Sequence, residues 1–153
     1  MDNADRHLYF SFFNEVNIIG QLSRAQFEAR LPKGVLLPHF SVLNHLVRVG
    51  DGATPLALAR AFQVPKTTMT HTVSGLVQRA FVTLKSNPKD GRSKTVWLTN
   101  AGREFRDDAI KLLDDDMEAL RAAIPADKIS ALVPALEEIR VFLDAYRNEP
   151  EDP

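Results

Sequence analysis

The feature of the sequence that most constrains the fold is a pair of short helical patterns separated by a tight turn. Thr54-Pro55 is a strong helix start, because a threonine hydroxyl can cap a helix and proline suits its first position. That helix extends to Phe62, where Gln63-Val64-Pro65 interrupts it. A further helical pattern continues to about Arg79. We therefore predict two helices that meet at a tight turn.

A β-hairpin is predicted directly after these helices. Phe81 to Leu84 and Thr95 to Leu98 are rich in β-branched and aromatic residues, which favour strands. Between them, Asn87 to Arg92 has the polar, glycine-containing composition of a turn. Helix, turn, helix and hairpin in this order predict a winged helix-turn-helix core over residues 38–98.

Longer helices are predicted on both sides of this core. Helical patterns cover Leu8 to Arg30, Pro38 to the stop at Gly50, Thr99 to about Ala123, and Asp127 to Arg147. The predicted fold class is therefore mainly α with a small β-hairpin, a winged helix-turn-helix core flanked by N- and C-terminal helices. The ends of the chain, residues 1–6 and 148–153, are predicted to be loose.

The flanking helices carry more apolar side chains than one buried stripe requires. In the first helix they are spread too widely for a single face: Leu8, Tyr9, Phe10, Phe12, Phe13, Val16, Ile18 and Ile19. The last helices add Ile124, Ile129, Leu132, Val133, Leu136, Ile139, Phe142, Leu143 and Tyr146. These surfaces can pack against a second copy of the chain or against each other. We predict a single domain over residues 1–153, with residues 7–34 and 100–147 as dimerisation helices.

Several classes of function are excluded by composition and motifs. The chain of 153 residues has no cysteine, and His7, His39, His45 and His71 lack metal-ligand spacing. The sequence contains no glycine-rich phosphate loop, nucleophile elbow or His-Glu-x-x-His pattern. We predict no enzymatic activity, catalytic residue, metal or cofactor. Without a signal pattern or an apolar run of about 18 residues, we expect a cytoplasmic protein with no membrane partner.

Positive charge is concentrated in the middle of the chain. Residues 60–94 contain seven basic residues and one acidic residue, although the whole chain has a net charge of −1. Residues 95–153 contain seven basic and fourteen acidic residues. A local excess of this size can meet a polyanion such as nucleic acid. A solvated surface is the alternative, so the residues within the basic segment must decide.

The residues from Lys66 to Arg79 separate into two faces on a helical wheel. The apolar face consists of Met69, Val73, Leu76 and Val77. The opposite face carries short hydrogen-bonding side chains, with Lys66 and Arg79 near its ends: Thr67, Thr70, His71, Ser74 and Gln78. The major groove of DNA admits a helix whose leading side chains are short, and hydroxyl groups can read base edges there. An ordinary amphipathic helix is the alternative interpretation.

The predicted hairpin carries cations at its tip. Lys89, Arg92 and Lys94 lie there, with Asp90 two residues before Arg92. A long cationic side chain on a protruding ribbon can enter the narrow, negative minor groove. We expect the Asp90 carboxylate to hold the Arg92 guanidinium in place. A surface ion pair that only stabilises the turn is the alternative.

These residues resemble a known family. Asp90-x-Arg92, followed by Val96-Trp97-Leu98-Thr99-x-x-Gly102, is similar to the D-x-R…L-T-x-x-G pattern of MarR-type regulators. Lys66-Thr67-Thr68-Met69-Thr70 resembles the start of that family's recognition helix. The resemblance implies a homodimer of winged lobes on a pseudo-palindromic operator. It also implies a small aromatic or phenolic effector that releases DNA.

Together, these observations predict a sequence-specific regulator of transcription that binds double-stranded DNA, in the form of a ligand-responsive repressor. The predicted DNA-binding residues are Lys66, Thr67, Thr68, Thr70, His71, Ser74, Lys89, Asp90, Arg92 and Lys94. The predicted ligand-binding residues, on helices that by resemblance border a cleft, are Phe12, Arg24, His39 and Phe40. The alternative function is a winged-helix protein-interaction module that does not bind DNA.

Three positions depart from the family pattern. Gly91 stands where a first wing arginine is common, so wing contacts are expected to be weaker or the tip more flexible. His71 replaces a common arginine, so base preference or phosphate contact is expected to differ. Ala80 replaces the usual glycine after the recognition helix, which predicts either a strained left-handed cap or a different helix end.

Overall fold

A computed structural model of the chain describes residues 1–147, which fall into two compact units, Met1–Leu113 and a second unit that begins at Asp114. The second unit is described as far as Arg147, so the end predicted to be loose, residues 148–153, lies outside the described residues. The single domain predicted over residues 1–153 stays a prediction. So do the boundaries of its core and of its dimerisation helices.

The described elements confirm a fold that is mainly α with a small β-hairpin. The first unit contains α1 (Asn3–Arg30), α2 (Leu37–Val49), α3 (Pro55–Ala61), α4 (Lys66–Gln78), β1 (Val82–Asn87), β2 (Asp90–Leu98) and α5 (Asn100–Lys111). The second unit contains α6 (Asp114–Ala123) and α7 (Ala126–Tyr146). No helix within residues 1–147 has the length and hydropathy needed to cross a membrane.

Two sequence-based expectations about helix ends were wrong. The first helix starts at Asn3, because the Asp2 side chain accepts a hydrogen bond from the Asp5 backbone N–H at 2.8 Å and caps it. The long helix predicted from Thr99 to Ala123 is two helices, with α5 ending before Leu112. Acidic residues Asp114–Asp116 lie in the first turn of α6, where the helix dipole favours negative charge.

The core of the first unit is formed by α2, α3, α4 and the start of the hairpin. Its buried side chains are Val42, Leu43, Leu46, Leu58, Ala59, Met69, Val73, Leu76, Val82 and Val96. Three of these side chains come from α4, so one face of that helix is buried in the core. Val77, predicted on the same face, is instead exposed, so the buried face of α4 is narrower than the helical wheel indicates.

The hairpin is anchored to the linker between α2 and α3. β1 and β2 pair antiparallel with Val82 opposite Leu98 and Ser86 opposite Lys94. On the other edge of β2, the backbone N–H of Gly52 donates to the Val96 carbonyl, and the Val96 N–H donates to the Ala53 carbonyl, both at 2.9 Å. Two backbone hydrogen bonds thereby join the linker to the base of the hairpin.

Candidate nucleic-acid interface

The outer face of α4 consists of short polar side chains. Lys66, Thr67, Thr68, Thr70, His71, Ser74 and Gln78 are all exposed. The Thr70 hydroxyl donates to the Lys66 carbonyl at 2.8 Å, so its oxygen remains as an acceptor toward solvent. Thr72, in contrast, is buried and donates to the Thr68 carbonyl at 3.1 Å. The residues predicted to face DNA are therefore accessible, and they line one side of a single helix.

A tight turn sets the angle between α3 and α4. Gln63 has a φ of +53°, in the left-handed region that costs a residue with a Cβ some strain. The Val64 backbone N–H donates to the Ala59 carbonyl at 3.0 Å, which closes the turn. Leu58 on α3 and Met69 on α4 are both buried in the core. The turn and this packing hold the two helices as one unit.

The tip of the hairpin is held by hydrogen bonds from side chains to the backbone. The Asp90 carboxylate accepts the Arg92 backbone N–H at 3.0 Å, and the Asn87 side-chain oxygen accepts the Lys89 N–H at 3.0 Å. In the described part of the chain, Asp90 does not bind the Arg92 guanidinium, so that expectation was wrong. A carboxylate two residues before an amide readily forms an Asx turn, and the guanidinium projects into solvent.

A basic surface accompanies this tip. Lys89, Arg92 and Lys94 are exposed, and the Lys94 ammonium donates to the Ser86 hydroxyl at 3.2 Å. Lys85, which the sequence-based set omits, lies on β1 with its ammonium 3.9 Å from the centre of the Trp97 ring. Lys85 was missed because its contact with Trp97 crosses the hairpin. Such a contact can be predicted only when the register of the two strands is known. The cation–π contact stiffens the ribbon and keeps the charge of Lys85 in place.

The Thr99-x-x-Gly102 pattern has a structural explanation. The Thr99 hydroxyl accepts the Gly102 N–H at 3.0 Å and lies within hydrogen-bonding distance of the Ala80 and Phe81 carbonyls. A Cβ at Gly102 would collide with the Phe81 carbonyl oxygen. This pattern joins the end of β2 and the start of α5 to the segment that follows α4. It therefore fixes the hairpin relative to the polar helix.

Ala80 adopts a left-handed conformation, which is one of the two outcomes predicted for an alanine in place of the family's usual glycine. Its φ is +56°, and its backbone N–H donates to the Val77 carbonyl at 2.9 Å. The Phe81 N–H then donates to the Leu76 carbonyl at 3.0 Å, which completes the helix C-terminus. Of the two predicted outcomes, the strained cap is the one observed. The other departures, Gly91 and His71, are both exposed.

The four predicted ligand-binding residues lie in different surroundings. Arg24 lines a groove along α1, and Phe40 lines a separate cleft with Asn44 and His45. The Phe40 ring also packs against Phe27, with ring centroids 4.4 Å apart. Phe12 packs edge-on against its neighbour Phe13 at 5.2 Å. The structure thus does not gather the four into one described cleft, and the ligand site stays a prediction.

His39 is buried at the start of α2. Its Nδ1 accepts the Leu36 backbone N–H at 3.0 Å, which caps the helix. Burial lowers the pKa of His39 below its usual value near 6.5, and the nearby positive charge of Arg79 lowers it further. The ring is therefore neutral, with Nδ1 as an acceptor. Among residues 1–147, no group of three or more His, Cys, Asp or Glu side chains is placed to hold a metal ion.

Comparison with known proteins agrees with this geometry. Residues 33–93 match the family described as the MarR family. The transcriptional regulator BldR from Sulfolobus solfataricus has a similar structure, with a TM-score of 0.72 and 22% identity over 92% of this chain and 99% of that one. Wild-type MarR from E. coli in its apo form gives 0.69 and 23%, over 82% and 94%.

A third similar structure is BpsR from Bordetella bronchiseptica, described by a mechanism for regulation of its DNA binding by 6-hydroxynicotinic acid. Its TM-score is 0.66 at 18% identity, over 85% of this chain and 98% of that one. No curated protein sequence matched the chain. At these levels of identity the solved structures establish the fold, and the family match covers the helix-turn-helix and most of the hairpin.

Proposed function

We propose that the chain is a MarR-type winged helix-turn-helix protein, as the family match over residues 33–93 indicates, and that it binds double-stranded DNA sequence-specifically and represses transcription. Proteins of this family are transcriptional regulators and not enzymes. Because it must reach DNA, we place the protein in the cytoplasm. The observation that carries the proposal is the exposed polar face of α4 beside a cationic hairpin.

We assign base reading to the outer face of α4. Thr67, Thr70 and Ser74 offer hydroxyl groups that can accept from or donate to base edges, and threonine methyls can touch the methyl group of thymine. Thr70 reads as an acceptor, because its proton is already donated to the Lys66 carbonyl. Thr68, His71 and Lys66 complete the surface, and Lys66 is suited to a phosphate near the start of the helix.

The hairpin supplies the second contact. Arg92 is the residue we assign to the minor groove, because its guanidinium is exposed while Asp90 fixes its backbone. Lys89 and Lys94 flank it and are suited to phosphates on either side of the groove. Lys85, stacked on Trp97, adds a further positive charge at the base of the ribbon.

We propose that the protein acts as a homodimer through its terminal helices. Exposed apolar side chains on α1 include Leu8, Tyr9, Phe10, Ile19 and Leu22. Those on α7 include Leu132, Val133, Val141, Phe142 and Tyr146. Apolar surface of this extent is typical of an interface between chains. Two recognition helices related by a twofold axis and about 34 Å apart would read one face of a pseudo-palindromic operator.

A small aromatic or phenolic effector completes the proposal. The regulation of BpsR by 6-hydroxynicotinic acid supports an effector of this chemistry for a protein of the same fold. Phe12, Arg24, His39 and Phe40 remain the assigned positions. Since His39 is neutral and caps α2, the positive charge for an acidic effector would come from Arg24.

Selection of bound sequences from random duplexes tests the function directly. We expect an inverted repeat with half-site centres about one helical turn apart. Affinity measured by mobility shift should then fall steeply with salt, because several phosphate contacts release counterions. If the selection enriches no sequence and the affinity for DNA does not change with salt, DNA binding is contradicted and a protein-interaction module is favoured.

A further inference from the structure

Arg79, at the C-terminal end of α4, faces the protein and not the outer surface of the helix. Its side chain is half-buried, and Nη1 donates to the Gly75 carbonyl at 3.0 Å. Nη2 donates to the Gly34 carbonyl in the turn between α1 and α2. One guanidinium therefore bridges two carbonyl groups that are far apart in sequence. The helical wheel had placed Arg79 at the end of the polar face.

The turn that receives Arg79 is shaped for this contact. The Val35 backbone N–H donates to the Pro32 carbonyl at 3.0 Å, and Gly34 has a φ of +84°. That conformation is in the left-handed region, which glycine adopts without strain. A Cβ at Gly34 would lie 3.2 Å from Nη2 of Arg79. The turn thus presents its carbonyl and leaves room for the guanidinium.

A second contact joins α4 to the start of α2, next to that turn. Gly75 on α4 lies against the imidazole of His39, and a Cβ there would be 2.6 Å from Nε2. His39 is held in turn by its hydrogen bond from the Leu36 N–H. The α4 helix is therefore held against the start of α2 by close packing at Gly75, and against the turn between α1 and α2 by the Arg79 bridge.

We propose that Arg79 is a positioning residue that sets the orientation of α4 relative to the end of α1, and that it makes no phosphate contact. The inference rests on the proposed function, because the orientation of α4 matters only if this helix binds DNA. Since α1 is assigned to the dimer, the bridge links the geometry of the dimer to the angle at which each α4 meets its half-site.

The replacement Arg79→Lys separates positioning from charge. Lysine keeps the positive charge, but it lacks the planar fork of two nitrogens through which the guanidinium binds the two carbonyl groups. We expect Arg79→Lys to weaken operator binding about tenfold, with the slope of log affinity against log salt unchanged. Hydrogen exchange should become at least threefold faster in peptides covering residues 31–36 and 76–81. The matched variant Arg92→Lys should leave exchange in both peptides at its wild-type rate.

Three outcomes would overturn the proposal. Wild-type exchange and affinity in Arg79→Lys would show that the bridge positions nothing. Arg79→Gln could instead reduce the slope of log affinity against log salt by about one and leave hydrogen exchange unchanged. That outcome would show that Arg79 contacts a phosphate, and it would overturn the proposal. If Arg79→Lys does not fold, Gly34→Ala tests the bridge from the turn, and unchanged exchange at residues 76–81 would refute it.

The exchange measurement also separates this inference from the proposed function. A wild-type protein that binds no duplex would refute the proposed function. Faster exchange in Arg79→Lys would then still support the bridge, and unchanged exchange would refute it as well.

Discussion

Ala80 holds a backbone conformation that its side chain disfavours. Its φ of +56° places it in the left-handed region, and its side chain is exposed, so the Cβ adds strain without useful packing. Glycine relieves that strain. We expect Ala80→Gly to raise the free energy of unfolding by about 1 kcal/mol. In a chain of this size, that corresponds to a rise in Tm of about 3 °C by differential scanning calorimetry.

A second alanine provides the control for this prediction. Ala119 is exposed in the interior of α6, where glycine is about 1 kcal/mol less favourable than alanine. Ala119→Gly should therefore lower Tm, the opposite sign from Ala80→Gly. Equal destabilisation by both replacements would mean that Ala80 carries no strain in solution.

His39 gives the stability of the fold a defined dependence on pH. The unfolded chain takes up a proton on His39 near its usual pKa of about 6.5, whereas burial lowers the pKa in the fold. The unfolded state therefore binds more protons as pH falls below 6.5, and the free energy of unfolding decreases. Above that pH, the contribution of His39 is fully present.

We expect His39→Gln to flatten the stability of the protein between pH 7 and pH 5. Glutamine does not titrate, and at this position its side chain can still cap the start of α2. Urea unfolding at a series of pH values measures the effect. The exposed His71, replaced by glutamine, serves as the control and should retain the wild-type curve. A wild-type curve in His39→Gln would show that another group causes the dependence.

At the scale of elements, the hairpin is a cationic ribbon whose tip is held by its own hydrogen bonds. Asp90 and Asn87 bind backbone N–H groups at the tip, so the Arg92 side chain projects from a formed turn. We expect Arg92→Ala to weaken binding at least tenfold in a mobility-shift titration, because one minor-groove cation is lost. The oligomeric state should be unchanged, since Arg92 lies outside both proposed dimer helices.

Arg121 is the matched control for this replacement. It is exposed on α6, where its guanidinium pairs with Glu118 at 3.4 Å, and it lies outside the basic segment. Arg121→Ala should leave DNA affinity at the wild-type value. Wild-type affinity in Arg92→Ala as well would remove the hairpin from the mechanism.

The sequence predicts those elements whose ends are determined locally. Thr54 and Thr99 cap their helices as expected, with hydroxyl oxygens 3.1 Å and 3.0 Å from the N–H groups they accept. The strand-like pairing of Gly52 and Ala53 with Val96 was missed, because it joins residues more than forty positions apart. Such pairing depends on tertiary packing, which a local pattern does not contain.

The candidate interface was partly predictable for the same reason. A helical wheel identifies the direction of each Cβ, so the short side chains of Thr67, Thr70 and Ser74 are exposed as expected. It does not predict the path of a long side chain, and Arg79 folds back toward Gly34. Lys85 was missed because its partner, Trp97, lies on the other strand of the hairpin.

At the scale of the whole molecule, each terminal helix carries exposed apolar side chains that the proposed dimer would bury. Phe10 is 70% exposed on α1. We expect Phe10→Asp to convert the proposed dimer into monomers in analytical ultracentrifugation, because a charge cannot be buried there without a partner. Affinity for a complete inverted repeat should fall at least a hundredfold, while the helix content by circular dichroism stays at the wild-type value.

Asn3→Asp provides the same new charge at an exposed polar position of α1 that lies before the proposed dimerisation segment. We expect it to remain dimeric and to bind the repeat as the wild type does. A dimeric Phe10→Asp variant with full affinity would exclude this part of α1 from the interface. The assembly would then have to depend on other exposed apolar residues.

The hydrogen bonds between linker residues 52–53 and β2 also oppose aggregation at high protein concentration. An unpaired strand edge is a template on which a neighbouring molecule can extend a sheet, and this leads to aggregation. Here the inner part of β2 has its free edge occupied by Gly52 and Ala53. Farther out, Arg92 and Lys94 are exposed, so two such ribbons repel each other in the absence of DNA. The cations assigned to DNA contact therefore also oppose intermolecular sheet growth.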